Sequence, residues 1–138
     1  MTIIIIAAIV AVLVLWFIST QRNLVSKDEL CQNSMSQIGV QQQSRWDAIT
    51  SLVQLTKSYN EHEYNTLRDV IAQRKEISGT SGAAEAAGQE ELLTQAASRI
   101  RLVAEQYPEL KASETYTKTM DSVNSYENQV RVSRMVYN

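Results

Sequence analysis

The only histidine, His62, stands between Glu61 and Glu63, three metal-ligating side chains in a row. On a helix, consecutive side chains point about 100° apart, so three in a row cannot close on one ion. Carboxylate-bridged metal bundles use Glu-x-x-His on facing helices, and zinc-peptidase helices need a second histidine. One histidine can build neither, so residues 61–63 read as a polar cluster on a helix surface. Gly79-Thr80-Ser81-Gly82 lacks the lysine and the preceding strand of a phosphate-cradling loop, and reads as a linker. The serines are plentiful, but none sits in a Gly-x-Ser-x-Gly elbow. Cys31 falls on an apolar stripe and reads as a small core residue rather than a nucleophile. A single cysteine also excludes an intrachain disulfide. No catalytic, cofactor-binding or metal-ligating residue is expected, no cofactor is implied, and the chain reads as a non-enzyme.

A second constellation is ionic. Stepping at helical spacing from Ile49 gives Leu52 or Val53, Thr56, Tyr59, Glu63, Leu67, Val70, Arg74 and Ile77. Stepping from Tyr116 gives Met120, Val123, Glu127, Val130, Arg134 and Tyr137. Each line carries one acid and one base among apolar neighbours, and charges persist inside a protein only when paired. The candidate site is therefore a buried polar layer of Glu63, Arg74, Glu127 and Arg134. In it the two glutamates accept hydrogen bonds from arginines of neighbouring helices, with Arg134, Arg74 and Arg45 as donors. A small rotation of either helix would instead leave ordinary surface pairs, worth about 0–1 kcal/mol each.

Helices must present these lines, and the composition favours them. The chain has 138 residues with only four glycines and one proline, so strand and turn punctuation is nearly absent. The net charge is -2 with lysine and arginine dispersed, which argues against a nucleic-acid surface. Leu24, Cys31, Met35 and Ile38 open a helical stripe, followed by the polar stretch Gln41 to Arg45. Asp47 is a good N-cap for the stripe through Ile49, Leu52, Val53, Thr56 and Tyr59, so the chain is expected to bend at 43–47 or to reverse there. That stripe continues through Leu67, Val70 and Ile77, and 78–82 is a clear break. A third helix spans about Ala84 to Tyr107 and is stopped by Pro108. A last helix starts near Ser113. Trp46 and the six tyrosines read as core or bundle-edge residues. The expected fold is all-α: an antiparallel, up-and-down four-helix bundle.

Residues 3–18, IIIIAAIVAVLVLWFI, stand apart. With Met1 and Thr2 they make a helix of roughly 27 Å, close to the ~30 Å hydrocarbon core of a bilayer. Twelve Ile, Val, Leu or Phe residues favour insertion by roughly 4–7 kcal/mol. A cleaved signal peptide would need a basic start and a small-x-small cleavage site, and neither is present. Residues 1–20 are thus expected to form a transmembrane anchor and residues 21–138 a helical domain. Arg22 and Lys27 after the apolar run, against one terminal amine before it, place the domain in the cytoplasm.

Several stretches carry a family likeness. They are Ser36-Gln37-Ile38-Gly39-Val40-Gln41, Arg45, Asp47-Ala48-Ile49-Thr50-Ser51-Leu52-Val53, Lys57-Ser58-Tyr59, His62-Glu63 and Thr66-Leu67. The likeness resumes at Arg99 to Ala112, at Glu127-Asn128, and at Arg134 with Tyr137-Asn138. In that order they resemble LemA-family proteins over nearly the whole chain. The resemblance implies a four-helix bundle behind one transmembrane helix in a bacterial membrane, and it supplies no chemistry. Two positions depart from it: Gly39 stands where the family usually has an acid, and Thr50 where it has proline. The family's last helix also runs past the Tyr-Asn pair, so a last helix cut short at Asn138 is expected to fray after about Val130.

The function expected is that of a membrane-anchored scaffold or adaptor presenting a protein-interaction surface. The alternative is an extracytoplasmic envelope protein that binds an external ligand. The partners expected are the bilayer, through residues 3–18, and proteins, further copies of the chain being one option.

Overall fold

A computed structural model describes residues 1–138 as five helices and no strand. The first, α1, runs from Thr2 to Thr56 without interruption, 55 residues and about 82 Å. No residue before Ser34 is buried, so the apolar run 3–18 and the polar stretch 19–33 stand clear of the rest. α1 is the one helix long and apolar enough to cross a membrane. There is no bend or reversal at 43–47. Met35, Ile38, Gln42, Arg45, Ile49, Leu52, Val53 and Thr56 are all buried, so one stripe stays in phase throughout. Asp47, read as an N-cap, lies mid-helix. Thr50 keeps its backbone N–H, which a proline would remove, and its hydroxyl donates to the Trp46 carbonyl at 2.8 Å.

The reversal comes later, at Lys57–Asn60. Asn60 caps α2 (Glu61–Ile71), its side chain accepting from the Glu63 N–H at 3.1 Å. α2 stops at Ile71, so the helical stripe through Ile77 is not realised as helix, and residues 72–82 return without regular structure. α3 spans Ala83–Gln106, the Glu85 carboxylate accepting from the Gly82 N–H at 3.1 Å. Pro108 ends α3 and opens the one-turn α4 (Pro108–Lys111), where the missing N–H costs nothing. The Lys111 ammonium donates to Glu105 at 2.7 Å, and this bond holds its pKa above the ordinary lysine value. Ser113 caps α5, which runs from Glu114 to Tyr137.

The helical domain is thus an up-and-down bundle in which α1, α3 and α5 run full height and α2 reaches about half of it. Its core has two parts. A distal cluster joins Trp46, Ile49, Leu52 and Val53 of α1 to Leu67 and Val70 of α2, Leu93 to Ala104 of α3, and Tyr116, Met120 and Val123 of α5. Burial pushes the Tyr116 phenol above its ordinary value. A smaller proximal cluster, nearer the free part of α1, joins Met35, Ile38, Ile77, Ala86 and Val130. Cys31 lies one turn beyond the last bundle layer, and although it is on the core line it is exposed.

Ile77 reaches the proximal cluster because the chain crosses α1 at Gly39. A Cβ on Gly39 would lie 1.9 Å from the Ile77 carbonyl oxygen, so only glycine allows the crossing. Gly39→Ala should therefore push the 72–82 segment away and destabilise the protein by about 1–3 kcal/mol. Denaturation of the detergent-solubilised chain, followed by circular dichroism, measures this. An unchanged midpoint would mean that the crossing contributes nothing.

Candidate functional site

Between the two apolar clusters lies one polar layer, and its centre is Arg45. The phase of α1 points Arg45 inward, one turn before Ile49 and one after Gln42, and its side chain is 1% exposed. One end of the guanidinium, Nη1, donates to Glu90 Oε1 on α3. The other, Nη2, donates to Glu127 Oε2 on α5 at 3.1 Å. Glu90 Oε2 also accepts from Gln42 Nε2 at 3.1 Å, and Gln42 Nε2 donates to the Ala86 carbonyl at 2.9 Å. Gln42 Oε1 and Arg45 Nε have no protein partner. The two carboxylates differ in burial, Glu90 at 17% exposed and Glu127 at 35%. One cation thus ties three helices together at a single level.

A neutral hub sits beside this layer. Buried Gln89 accepts through Oε1 from the Trp46 indole N–H at 3.1 Å and from the Lys75 N–H at 2.9 Å. Its Nε2 donates to the Gln73 carbonyl at 3.2 Å. Gln89 therefore uses its side chain to fasten the non-helical return segment to α1 and α3. Its position next to Glu90 lets one helical turn serve both purposes.

Of the four residues read from the sequence as a layer, the structure brings only Glu127 to Arg45. Glu63, on α2, lies 3.5 Å from Arg99 on α3, both partly exposed. Arg74, just past α2, donates to Asp47 at 2.8 Å at the surface. Arg134 is exposed and forms no ion pair, because the inward line of α5 is last buried at Val130. These residues are therefore scattered rather than gathered in one layer. The sequence reading missed Glu90 and Gln89. Carrying the α3 stripe one turn back from Leu93 reaches both, and an acid facing Arg45 was the signal to look for.

Around this layer the surface is shallow. A cleft of about 350 Å³ between α3 and α5 is lined by Glu90, Thr94, Glu127, Arg131 and Arg134 among others. His62 and Glu61 are exposed on α2. No group of three His, Cys, Asp or Glu side chains converges as a metal site would. One guanidinium faces two carboxylates, so the layer carries one acid in excess, and Gln42 Oε1 and Arg45 Nε are the buried polar atoms of the layer that no protein group meets.

An apolar helix running into an all-helical bundle, stitched by buried polar side chains, defines the class of molecule. The family model of the LemA family matches residues 34–138. The chain belongs to the LemA family. No curated protein matches it. The matched span begins where α1 first becomes buried, so the family region and the bundle coincide.

Glu90→Ala should destabilise the protein by about 3 kcal/mol, because it leaves a fully buried guanidinium short of its closer partner. Glu127→Ala should cost about 1 kcal/mol, since its carboxylate is one-third exposed and Arg45 keeps Glu90. Urea denaturation of the two variants compares them. Glu127→Ala costing more than Glu90→Ala would reverse the assignment of the principal partner.

Proposed function

We propose that the chain is a membrane-tethered scaffold or adaptor: the apolar end of α1 lies in a lipid bilayer and the bundle is displayed to protein partners. The observation that carries this reading is the exposure of residues 3–18. They form a helical run of apolar side chains that no part of the chain covers, on a helix that enters the bundle without a joint. In water such a surface is unfavourable, and a hydrocarbon layer is the solvent that suits it. Residues 1–20 act as the anchor and residues 21–138 as the displayed domain. The intervening exposed helix, 19–33, sets the bundle about 22 Å from the end of the apolar run.

Arg22 and Lys27 support a cytoplasmic bundle on a single-pass bacterial membrane protein. A non-enzymatic role is supported by the use of Gln42, Arg45, Gln89 and Glu90 in joining helices and the return segment. Val132, Met135 and Val136 stay exposed on one end of α5, and Leu102 on α3, as contact surface for a partner or a second copy.

Full-length protein should stay in the membrane pellet through high-salt and carbonate washes, and deletion of residues 1–20 should release a helical, soluble domain. Protein that washes off whole would overturn the anchor. For orientation, a cysteine introduced at Ser26 or Ser81 in a Cys31→Ser background should resist a membrane-impermeant maleimide in intact cells. Labelling there would place the bundle outside and favour an envelope protein that binds an external ligand.

A further inference from the structure

Residues 72–82 occupy the place where the upper half of a fourth helix would stand. Both ends of the segment are sharply defined. α2 closes with the Ala72 N–H donating to the Arg68 carbonyl, and α3 begins with its own Gly82–Glu85 bond. Neither flanking helix therefore needs the segment in order to remain folded.

The segment is held at few points. Gln89 bonds the Lys75 N–H and the Gln73 carbonyl, Arg74 pairs with Asp47 at the surface, Ile77 inserts over Gly39, and Gly79 packs closely against Gln32 and Ser36 of α1. The N–H groups of Glu76, Ile77, Gly79 and Thr80 donate to no protein group. Beneath the segment lie Met35, Ile38 and Ala86, the apolar residues of the proximal cluster that Ile77 completes. The distal cluster contains no residue of the segment.

We propose that residues 72–82 form a strap that opens as a unit over the proximal core, with Gln89 as its latch. Opening breaks the Gln89 bonds to the strap, one surface ion pair, the seat of one side chain and the packing of Gly79 on α1. The helical hydrogen bonds and the Arg45 layer stay in place. The open form exposes an apolar groove between α1 and α3, floored by Met35, Ile38 and Gly39. Gln89 is suited to the latch because two of its three amide bonds go to the strap; the third holds the Trp46 indole of the distal cluster, and the Ala97 reporter reads whether that cluster loosens with it. The inference does not depend on the membrane reading.

The test uses the full chain in detergent with Cys31→Ser and a single reporter cysteine, Ala86→Cys beneath the strap or Ala97→Cys in the distal core. Under native conditions a soluble thiol reagent should label Ala86→Cys at least about tenfold faster than Ala97→Cys. Adding Gln89→Ala should raise the first rate about tenfold again and leave the second unchanged. A single common rate for the two sites, matching global unfolding, would overturn the proposal, as would equal acceleration of both by Gln89→Ala. If Gln89→Ala abolishes the cooperative thermal transition, the ratio of the two rates with Gln89 intact decides alone.

Discussion

Arg45 is the residue around which the bundle has to be arranged. A guanidinium cannot be buried alone, since its desolvation outweighs anything that apolar packing nearby can return. Glu90 and Glu127 must therefore stand at the level of Arg45, which sets the height of α3 and of α5 against α1. Apolar contacts are tolerant of sliding, but an ion pair one residue out of register is lost. The apolar clusters on either side provide the bulk of the burial, while the layer between them selects one alignment among several that would bury similar area. Whether it adds net stability is a separate matter, because attraction and desolvation nearly cancel.

That alignment has a local consequence on the side of α2. With α2 ending at half height, the remaining face of α1 and α3 has to be covered by eleven residues that lie outside any helix. Gln89 and Gly39 are the two means by which this is done. Gln89 supplies the acceptor and donor that a helix would have supplied internally, and Gly39 removes the side chain that would keep the backbone away. Gly39 is thereby explained by packing, without recourse to function.

Much of this was legible in the residues. The phase of α1, the stop at Pro108, the cap at Ser113 and the inward direction of Glu127 follow from spacing and from the chemistry of single residues. Arg45 was readable as a donor for the same reason. What was not legible depended on where neighbours end. Cys31 lies on an inward-facing line yet is exposed because the bundle closes one turn short of it, and Arg134 is exposed although Tyr137, one turn farther on its line, packs against the proximal cluster. Arg74 and Ile77 keep helical spacing after Leu67 and Val70, yet the chain is not helical there, since Gln89 and the gap over Gly39 reward a geometry that periodicity cannot describe. Asp47 has the residue type of a cap and lies in mid-helix, because an unbroken apolar stripe outweighed its local preference.

The absence of a joint in α1 turns the helix into a lever. Thr56 lies about 57 Å along the axis from Ile18, so with the apolar end held in a bilayer a tilt of ~20° would sweep the far tip sideways by about 20 Å. Azimuth is fixed in the same way. Adding or removing one residue between Ser19 and Asn33 would rotate the entire bundle by about 100° about the axis, so on the proposed anchor the length of this exposed segment would decide which flank faces a neighbour in the same membrane.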